Sequence, residues 1–441
     1  MEIGKHIGKG LWAFADKALP AIYGAGFIVF VVRVLPPAEY GIFVLIQSIF
    51  LLLLGMGQSL ALQPMVKFAA ETDDVSGIFS TASLYYAAFL TAASVLLIVF
   101  RVPLSSVVNA EKIASLIVYV PLLFSASYLR SVVLFLFQAK LEVQKVFWID
   151  AVHFIGSLLC IVVLGSFRLL HTAEILLQIN LLTFSCSSLI ALIILFRRYA
   201  IHLRFERTLG KTFWSYGKYS FGAAVSYSIY TQADSLLISG LTGPIYVATY
   251  NAAKVFIRTF DLFLQVINLL LVPTISRLSS QNRRDDLLTL GEKSAFAFIT
   301  FILPFVIGLV LFAPVIVTFF YGKKYNEAIL ILRLLALSGL FVPGIGIASS
   351  FAYGMSYMKE AFYVSVGATF VSVVLLATLT QGLGITGSAW AIVLSAATMC
   401  VLWYMVLVSR IGIPLRVRPV FMRHRDVINF FSKTFSSLRN S

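Results

Sequence analysis

The sequence is short of charged residues. Only 12% of its 441 residues are Asp, Glu, Lys or Arg, whereas 60% are hydrophobic. A typical soluble domain is about 25% charged, and so little polar surface could not cover a core of this size. The composition therefore excludes an ordinary soluble enzyme, a secreted module and a disordered chain. It indicates a protein that lies largely within a membrane.

Cysteines and catalytic signatures are scarce as well. Cys160, Cys186 and Cys400 are the three cysteines, and each lies in a separate apolar run. This excludes a disulfide framework and a CxxC metal site, and we expect the three to be packing residues. No HExxH, GxSxG or GxxxxGK[ST] motif is present, so no zinc, serine-hydrolase or nucleotide chemistry is predicted. We expect no resident metal or cofactor beyond a transported proton or sodium ion.

Long apolar runs fill the chain instead. A membrane helix needs about 20 apolar residues, whereas a membrane barrel would show short alternating segments. The sequence therefore predicts an all-α polytopic membrane protein with twelve spans. They lie at about 11–34, 42–65, 78–100, 113–137, 146–166, 173–196, 219–241, 247–272, 293–319, 328–354, 361–380 and 386–409.

Basic residues are distributed unevenly between alternate loops. The loops on the side of the N-terminus hold 23 Lys and Arg residues, and those on the other side hold 5. The positive-inside rule then predicts that both termini are cytoplasmic. We assign the net charge of +15 to orientation and to contacts with anionic membrane lipids, and we expect no nucleic-acid partner.

The longest internal loop, 197–218, divides the spans into six plus six. We predict an N-terminal lobe at 1–196, this loop, a C-terminal lobe at 219–409 and a basic cytoplasmic tail at 410–441. Two six-helix lobes around a central cavity would suit a transporter built from parallel repeats. The tail is either an amphipathic helix on the membrane surface or a disordered basic segment, and the sequence leaves both interpretations open.

Charged residues within the spans need a reason, because each costs about 2.5–3.5 kcal/mol at the bilayer centre on insertion scales. The acidic residues are Asp16, Asp150, Asp234 and Asp261, and the basic residues are Lys17, Arg33, Arg130, Lys254, Arg258 and Arg333. The excess of positive charge favours an anionic substrate and disfavours a drug cation.

The eighth span carries a polar stripe. Its polar residues recur every three or four positions, which places them on one helical face. They are Asn251, Lys254, Arg258, Asp261, Gln265 and Asn268. A stripe of this length cannot face lipid, so we expect it to line a water-filled cavity or to meet a polar partner helix. The alternative is that Arg258 and Asp261 form a buried structural pair.

Other charged positions leave two interpretations open. Asp234, beside Tyr230 on a polar face of the seventh span, is either a proton-coupling site or a salt-bridge partner. Arg130 has no acid in its own span, so it needs a partner elsewhere or an anionic ligand. In the fifth span, Asp150 and His153 are three residues apart, which places both on one helical face. This spacing predicts that His153 is bonded to Asp150.

Four segments resemble one family. They are RVLPPAEYGIFVLIQSI (33–49), QADSLLISGLTG (232–243), NAAKVFIRTFDLFLQVINLLLVPTISRL (251–278) and LPFVIGLVLFAPVIVTFFYGKKYNEAILILRLLAL (303–337). Their order and motifs resemble the polysaccharide transporter family, the Wzx-type flippases, within the superfamily that includes multidrug exporters and lipid II flippases. One departure is Pro36, which stands where the first-loop motif usually has glycine.

The resemblance implies a flippase that moves an undecaprenyl-pyrophosphate-linked oligosaccharide to the outer leaflet of a bacterial plasma membrane, for O-antigen, capsule or exopolysaccharide synthesis. It also implies polymerase and chain-length proteins as partners. A pyrophosphate needs cations, and arginine binds phosphate best. The headgroup candidates are Arg130, Arg258, Lys254, Arg333 and Lys17. The coupling-ion candidates are Asp234, Asp261 and Asp16. The cavity-lining candidates are Asn251, Gln265, Asn268 and Tyr230.

Three alternatives remain. A cation-coupled multidrug exporter of the same fold would favour a net acidic cavity. A membrane polymerase or ligase would need a large external loop, which the sequence lacks. A scaffold without transport activity would not need the polar stripe of the eighth span.

Overall fold

The computed structural model describes residues 12–413, except for 13–14, 17, 21, 25, 71, 73–74, 200, 203 and 205–206. The headgroup candidate Lys17 and the predicted helix of the basic tail lie outside the described residues.

The described residues form helices and contain no β-strand. Helix α1 comprises the helical residues between 12 and 34. The other helices are α2 (Pro37–Ala70), α3 (Ser76–Val99), α4 (Arg101–Val107), α5 (Lys112–Ala139), α6 (Val143–Ser166), α7 (Ala173–Arg198), α8 (Arg207–Thr242), α9 (Pro244–Ile257), α10 (Thr259–Ser280), α11 (Arg284–Tyr321), α12 (Glu327–Ala336), α13 (Val342–Gly354) and α14 (Met358–Val406).

Each of the twelve predicted spans contains helix in this structure. Nine helical segments of the described residues are long and apolar enough to cross a membrane. The eleventh and twelfth predicted spans both lie in α14. This helix is broken at Gly384, which has φ 60° and ψ −142°. Because glycine lacks a Cβ, it adopts this positive φ without steric cost. The predicted fold class, an all-α polytopic membrane protein, is confirmed.

Two predicted spans are interrupted. The eighth span divides into α9 and α10 at Arg258. The tenth divides into α12 and α13 at a 3₁₀ turn, Leu337–Phe341, which precedes Pro343 in the first turn of α13. The sequence pattern did not predict the break at Arg258.

The chain forms two compact units. The first comprises Met1–Ala252 and Thr318–Tyr325, and the second comprises Ala253–Val317 and Asn326–Ser441. In the first unit α2 packs against α8, and α5 against α7. Gly41 in α2 is obligatory, because a Cβ there would lie 1.9 Å from the Pro244 carbonyl oxygen. The predicted lobe boundaries at 196 and 219 stay a prediction.

The second unit is built around α10 and α13. These helices pack closely because Gly346 and Gly354 of α13 lie against Ile267 and Ile275 of α10. Small residues at such contacts let membrane helices approach each other. The core of the unit extends to Trp403 in α14. This packing fixes the buried face of α10 and leaves Asp261 and Gln265 of the polar stripe exposed.

Candidate substrate and ion sites

Arg130 in α5 forms a part-buried ion pair. Its guanidinium donates to the carboxylate of Asp150 in α6, and the two side chains are 13% and 15% exposed. The guanidinium also lies 5.5 Å from the centre of the Phe184 ring in α7. The sequence left Arg130 in need of a partner helix or an anionic ligand, and the structure provides the partner.

His153 in α6 has a different neighbour from the predicted one. Its ring stacks on Phe184 with centroids 3.9 Å apart, and Nδ1 shares a hydrogen bond of 3.1 Å with the Thr183 hydroxyl. Among the described residues no hydrogen bond joins His153 to Asp150, so that prediction is wrong. The sequence spacing placed both residues on one helical face, but Arg130 takes the carboxylate because a guanidinium is the stronger partner for a buried anion.

The polar stripe of the eighth span divides into ends and a middle. At one end Asn251 is buried and donates to the Ser235 hydroxyl at 3.1 Å. At the other end the Asn268 side-chain oxygen accepts a hydrogen bond of 2.8 Å from Ser350. Contacts within the protein therefore hold the two asparagines that the sequence assigned to a cavity wall.

The middle of the stripe is exposed. Arg258, Asp261 and Gln265 are all exposed, and Lys254 is half-buried. Asp261 lies within electrostatic range of Arg258 and Lys254, but no salt bridge joins Arg258 to Asp261 in the described part of the chain. Because Arg258 and Asp261 are both exposed, the structure argues against the alternative that they form a buried structural pair. A guanidinium at the middle of a membrane span is costly against lipid, so this face requires a polar environment.

Arg258 lies where the helix is broken. Arg258 lies in a turn between α9 and α10. The Asp261 N–H donates to the Arg258 carbonyl, three residues earlier, whereas in a regular α-helix it would donate to the carbonyl four residues earlier. The backbone at Arg258 nevertheless keeps right-handed helical angles, φ −57° and ψ −19°. The irregularity is therefore a local tightening within one long apolar segment, Pro244–Ser280.

Asp234 in α8 is a buried carboxylate that accepts hydrogen bonds from Tyr250 and Ser235. Its side chain is 1% exposed. One carboxylate oxygen accepts from the Tyr250 hydroxyl at 2.9 Å, and the other accepts from the Ser235 N–H at 2.7 Å. Tyr250 is fully buried. The site is thus a buried carboxylate with a tyrosine donor, which can hold a negative charge or accept a proton.

The remaining candidates lie in varied surroundings. Asp16 in α1 is buried at 6% exposure, and Tyr230 in α8 is half-buried. Arg333 in α12 is exposed, and its Nε donates to the Val310 carbonyl at 3.2 Å. No group of three or more His, Cys, Asp or Glu side chains able to hold a metal ion occurs among the described residues.

Sequence reasoning missed a cluster around Arg33. The Arg33 side chain donates to the carbonyls of Phe319 and Phe320 at the C-terminal end of α11, and Lys324 donates to the Arg33 carbonyl at 3.0 Å. Arginine suits this position because a helix leaves its last carbonyls without partners. Both segments belong to the family motifs, but no spacing rule connects residues 287 positions apart.

Comparisons with known proteins agree with this architecture. Residues 30–330 match the model of the family described as polysaccharide biosynthesis protein. The chain belongs to this family. The resemblance found in the four sequence segments is thereby confirmed.

Two curated relatives match part of the chain. An uncharacterised membrane protein of Methanocaldococcus jannaschii is 25% identical over 174 residues, which are 40% of each chain. The amylovoran biosynthesis protein AmsL of Erwinia amylovora is 28% identical over 170 residues, which are 38% of this chain and 43% of the relative. The chain thus spans about two fifths of the length of the curated relatives that it matches.

Two solved structures share the fold. A multidrug resistance MATE family transporter of the MOP superfamily, in an inward-facing conformation, superposes with a TM-score of 0.74 at 15% identity and covers 91% of this chain and 98% of its own. The lipid II flippase MurJ, in an inward closed conformation, gives 0.72 at 14% identity and covers 91% and 87%. The family member thus has the fold of these membrane transporters.

Proposed function

We propose that this protein is a flippase. In this proposal it carries an undecaprenyl-pyrophosphate-linked oligosaccharide from the cytoplasmic to the outer leaflet of a bacterial plasma membrane by alternating access. Membership of a polysaccharide biosynthesis family and the fold shared with a lipid II flippase support it. Both termini would be cytoplasmic, since basic residues concentrate in the loops on that side.

The observation that carries the proposal is the exposed cationic middle of the eighth span. A diphosphate that crosses a membrane needs compensating charge, because a bare anion is prohibitively costly in hydrocarbon. Arg258 and Lys254 offer two cations four residues apart in one long apolar segment, Pro244–Ser280. Arg258 ranks first, because it is exposed and a guanidinium can bind a phosphate through two hydrogen bonds.

The other basic candidates rank lower. Arg130 would have to release Asp150 before it could bind a phosphate, and Arg333 already donates to a backbone carbonyl. Lys17 keeps its place on sequence grounds alone. A binding role for Arg130 would therefore require a conformational change that separates α5 from α6.

Asp234 is our candidate for ion coupling, with Asp261 and Asp16 as further candidates. A buried carboxylate that accepts hydrogen bonds from Tyr250 and Ser235 could release or bind a proton or sodium ion as its surroundings change. The tyrosine hydroxyl would stabilise the charged form. Coupling of this kind would supply the energy that resets the transporter.

The test is complementation of a flippase-deficient strain, with the membrane protein quantified. Arg258→Ala should lose export while protein levels stay normal, and Arg258→Lys should retain part of it. Leu262→Ala is the matched control, because Leu262 is 53% exposed on the same helix but carries no charge. Normal export by Arg258→Ala would contradict the proposed headgroup role. Export of drug cations without export of lipid-linked sugar would reject the proposed substrate.

A further inference from the structure

Helix α11 contains a defect at Pro314. In a helix each N–H donates to the carbonyl four residues earlier, but proline has no N–H and its ring crowds that carbonyl. Pro314 lies inside α11, so the Val310 carbonyl loses its helical donor. Within a membrane such an unpaired carbonyl costs several kcal/mol, because no water replaces the lost bond.

A side chain from another helix supplies the missing donor. Arg333 lies in the last turn of α12, and its Nε donates to the Val310 carbonyl at 3.2 Å. Pro273 in α10 and Pro304 in α11 likewise leave the carbonyls of Leu269 and Thr300 without a helical donor. Within the described residues neither of these carbonyls receives a side-chain hydrogen bond. Pro314 therefore differs from both in having an arginine as the replacement donor.

We propose that Arg333 is a positioning residue that completes the backbone of α11 at Pro314, and that it does not bind the substrate headgroup. The defect lies one turn before Val317, where the chain leaves the second unit. Arg333 stabilises the backbone of α11 at this proline and so acts on transport through α11; this role in transport rests on the proposed flippase function.

The bonded atom makes the proposal easy to test. Counted along the side chain, Nε of arginine occupies the same position as the amide nitrogen of glutamine. Arg333→Gln therefore keeps a donor at the right reach and removes the charge, whereas Arg333→Met keeps the length and removes both. A headgroup ligand would depend on the charge, and a positioning residue would depend on the donor.

The experiment measures export in the flippase-deficient strain and the thermal midpoint of each purified variant in detergent. We expect Arg333→Met to lower the midpoint by several degrees and to reduce export severalfold, and Arg333→Gln to resemble the unsubstituted protein in both. Loss of export in Arg333→Gln with an unchanged midpoint would overturn the proposal in favour of headgroup binding.

A double substitution provides the second arm. Pro314→Ala restores an N–H to the Val310 carbonyl, so Arg333→Met should have little further effect on the midpoint in that background. An equal loss of midpoint with and without the Pro314→Ala substitution would overturn the proposed link between the two residues. The thermal midpoint does not depend on any substrate. It therefore tests the helix defect even if the proposed flippase function fails.

Discussion

Arg130 and Arg258 are both arginines within predicted membrane spans, but the structure surrounds them differently. Arg130 is buried in the first unit, paired with Asp150 and close to an aromatic ring. Arg258 is exposed in the second unit at a break between two helices. Within the described part of the chain, only Arg130 of the two has a salt-bridge partner that compensates for its removal from water. The comparison separates an arginine whose charged partner is already part of the fold from one that has no salt bridge among the described residues, and we expect the headgroup role at the second.

The largest effect should come from breaking the Arg130–Asp150 pair. Arg130→Met alone would strand a buried carboxylate, and such changes cost about 3–5 kcal/mol. We expect little folded protein in the membrane and a much lower thermal midpoint in detergent. The double variant Arg130→Met, Asp150→Leu should recover the midpoint, because an apolar pair can replace a buried ion pair.

Export by that double variant sharpens the comparison. If Arg130 is structural, export should recover together with the folded protein. Recovery of the midpoint without recovery of export would instead assign Arg130 a transport role like that of Arg258.

The sequence predicted the fold well because helix formation in lipid depends on composition and periodicity. It predicted polar contacts poorly because those depend on which helices become neighbours. The stripe from Asn251 to Asn268 keeps a helical period throughout, with no proline or glycine at Arg258 to indicate the break. Likewise nothing local links Arg33 to Phe320, or Arg333 to the carbonyl that Pro314 leaves unpaired.

The second prediction concerns Arg258 and its neighbour Asp261. Arg258→Ala should reduce export roughly ten- to a hundredfold, since a hydrogen bond to a charged group contributes about 1.5–3 kcal/mol. The thermal midpoint should change little, because Arg258 is exposed and its removal strands no buried carboxylate. Adding Asp261→Ala should not restore export. Recovery of export in the double variant would show that Arg258 is a structural residue, as Arg130 is expected to be.

Asp234 tests another case, because it is more deeply buried than Arg130 and accepts hydrogen bonds from Tyr250 and Ser235. Tyr250→Phe removes one of these donors and should lower the stability by about 1.5 kcal/mol, the lower figure for a bond to a charged group. Asp234→Asn should in addition remove the dependence of export on pH or sodium. Export measured in membrane vesicles under imposed pH or sodium gradients distinguishes the lost hydrogen bond of Tyr250→Phe from the lost ion dependence of Asp234→Asn. Unchanged ion dependence in Asp234→Asn would contradict the coupling role.

The smallest effect is expected at Glu142, which lies outside the spans. Its side chain is 15% exposed, as is that of Asp150, but its partners Lys145 and Arg198 are more exposed than Arg130. Glu142 accepts hydrogen bonds from Lys145 at 2.6 Å and Arg198 at 2.9 Å. Burial alone would raise the pKa of the Glu142 carboxyl, but the two cations outweigh burial and hold the pKa below its usual value.

A lowered carboxyl pKa stabilises the fold above the unfolded-state value of about 4.5, and the stabilisation is lost as the pH falls through the lower pKa of the folded state. Glu142→Gln should therefore lower the thermal midpoint slightly at pH 7 and have less effect as the pH approaches the folded pKa. Solvent screening keeps this effect small, well below that of Arg130→Met. If Glu142→Gln were as damaging as Arg130→Met, the greater exposure of Lys145 and Arg198 would not weaken their pairing with Glu142. The number of cations around the carboxylate, which is two for Glu142, would then compensate for their exposure.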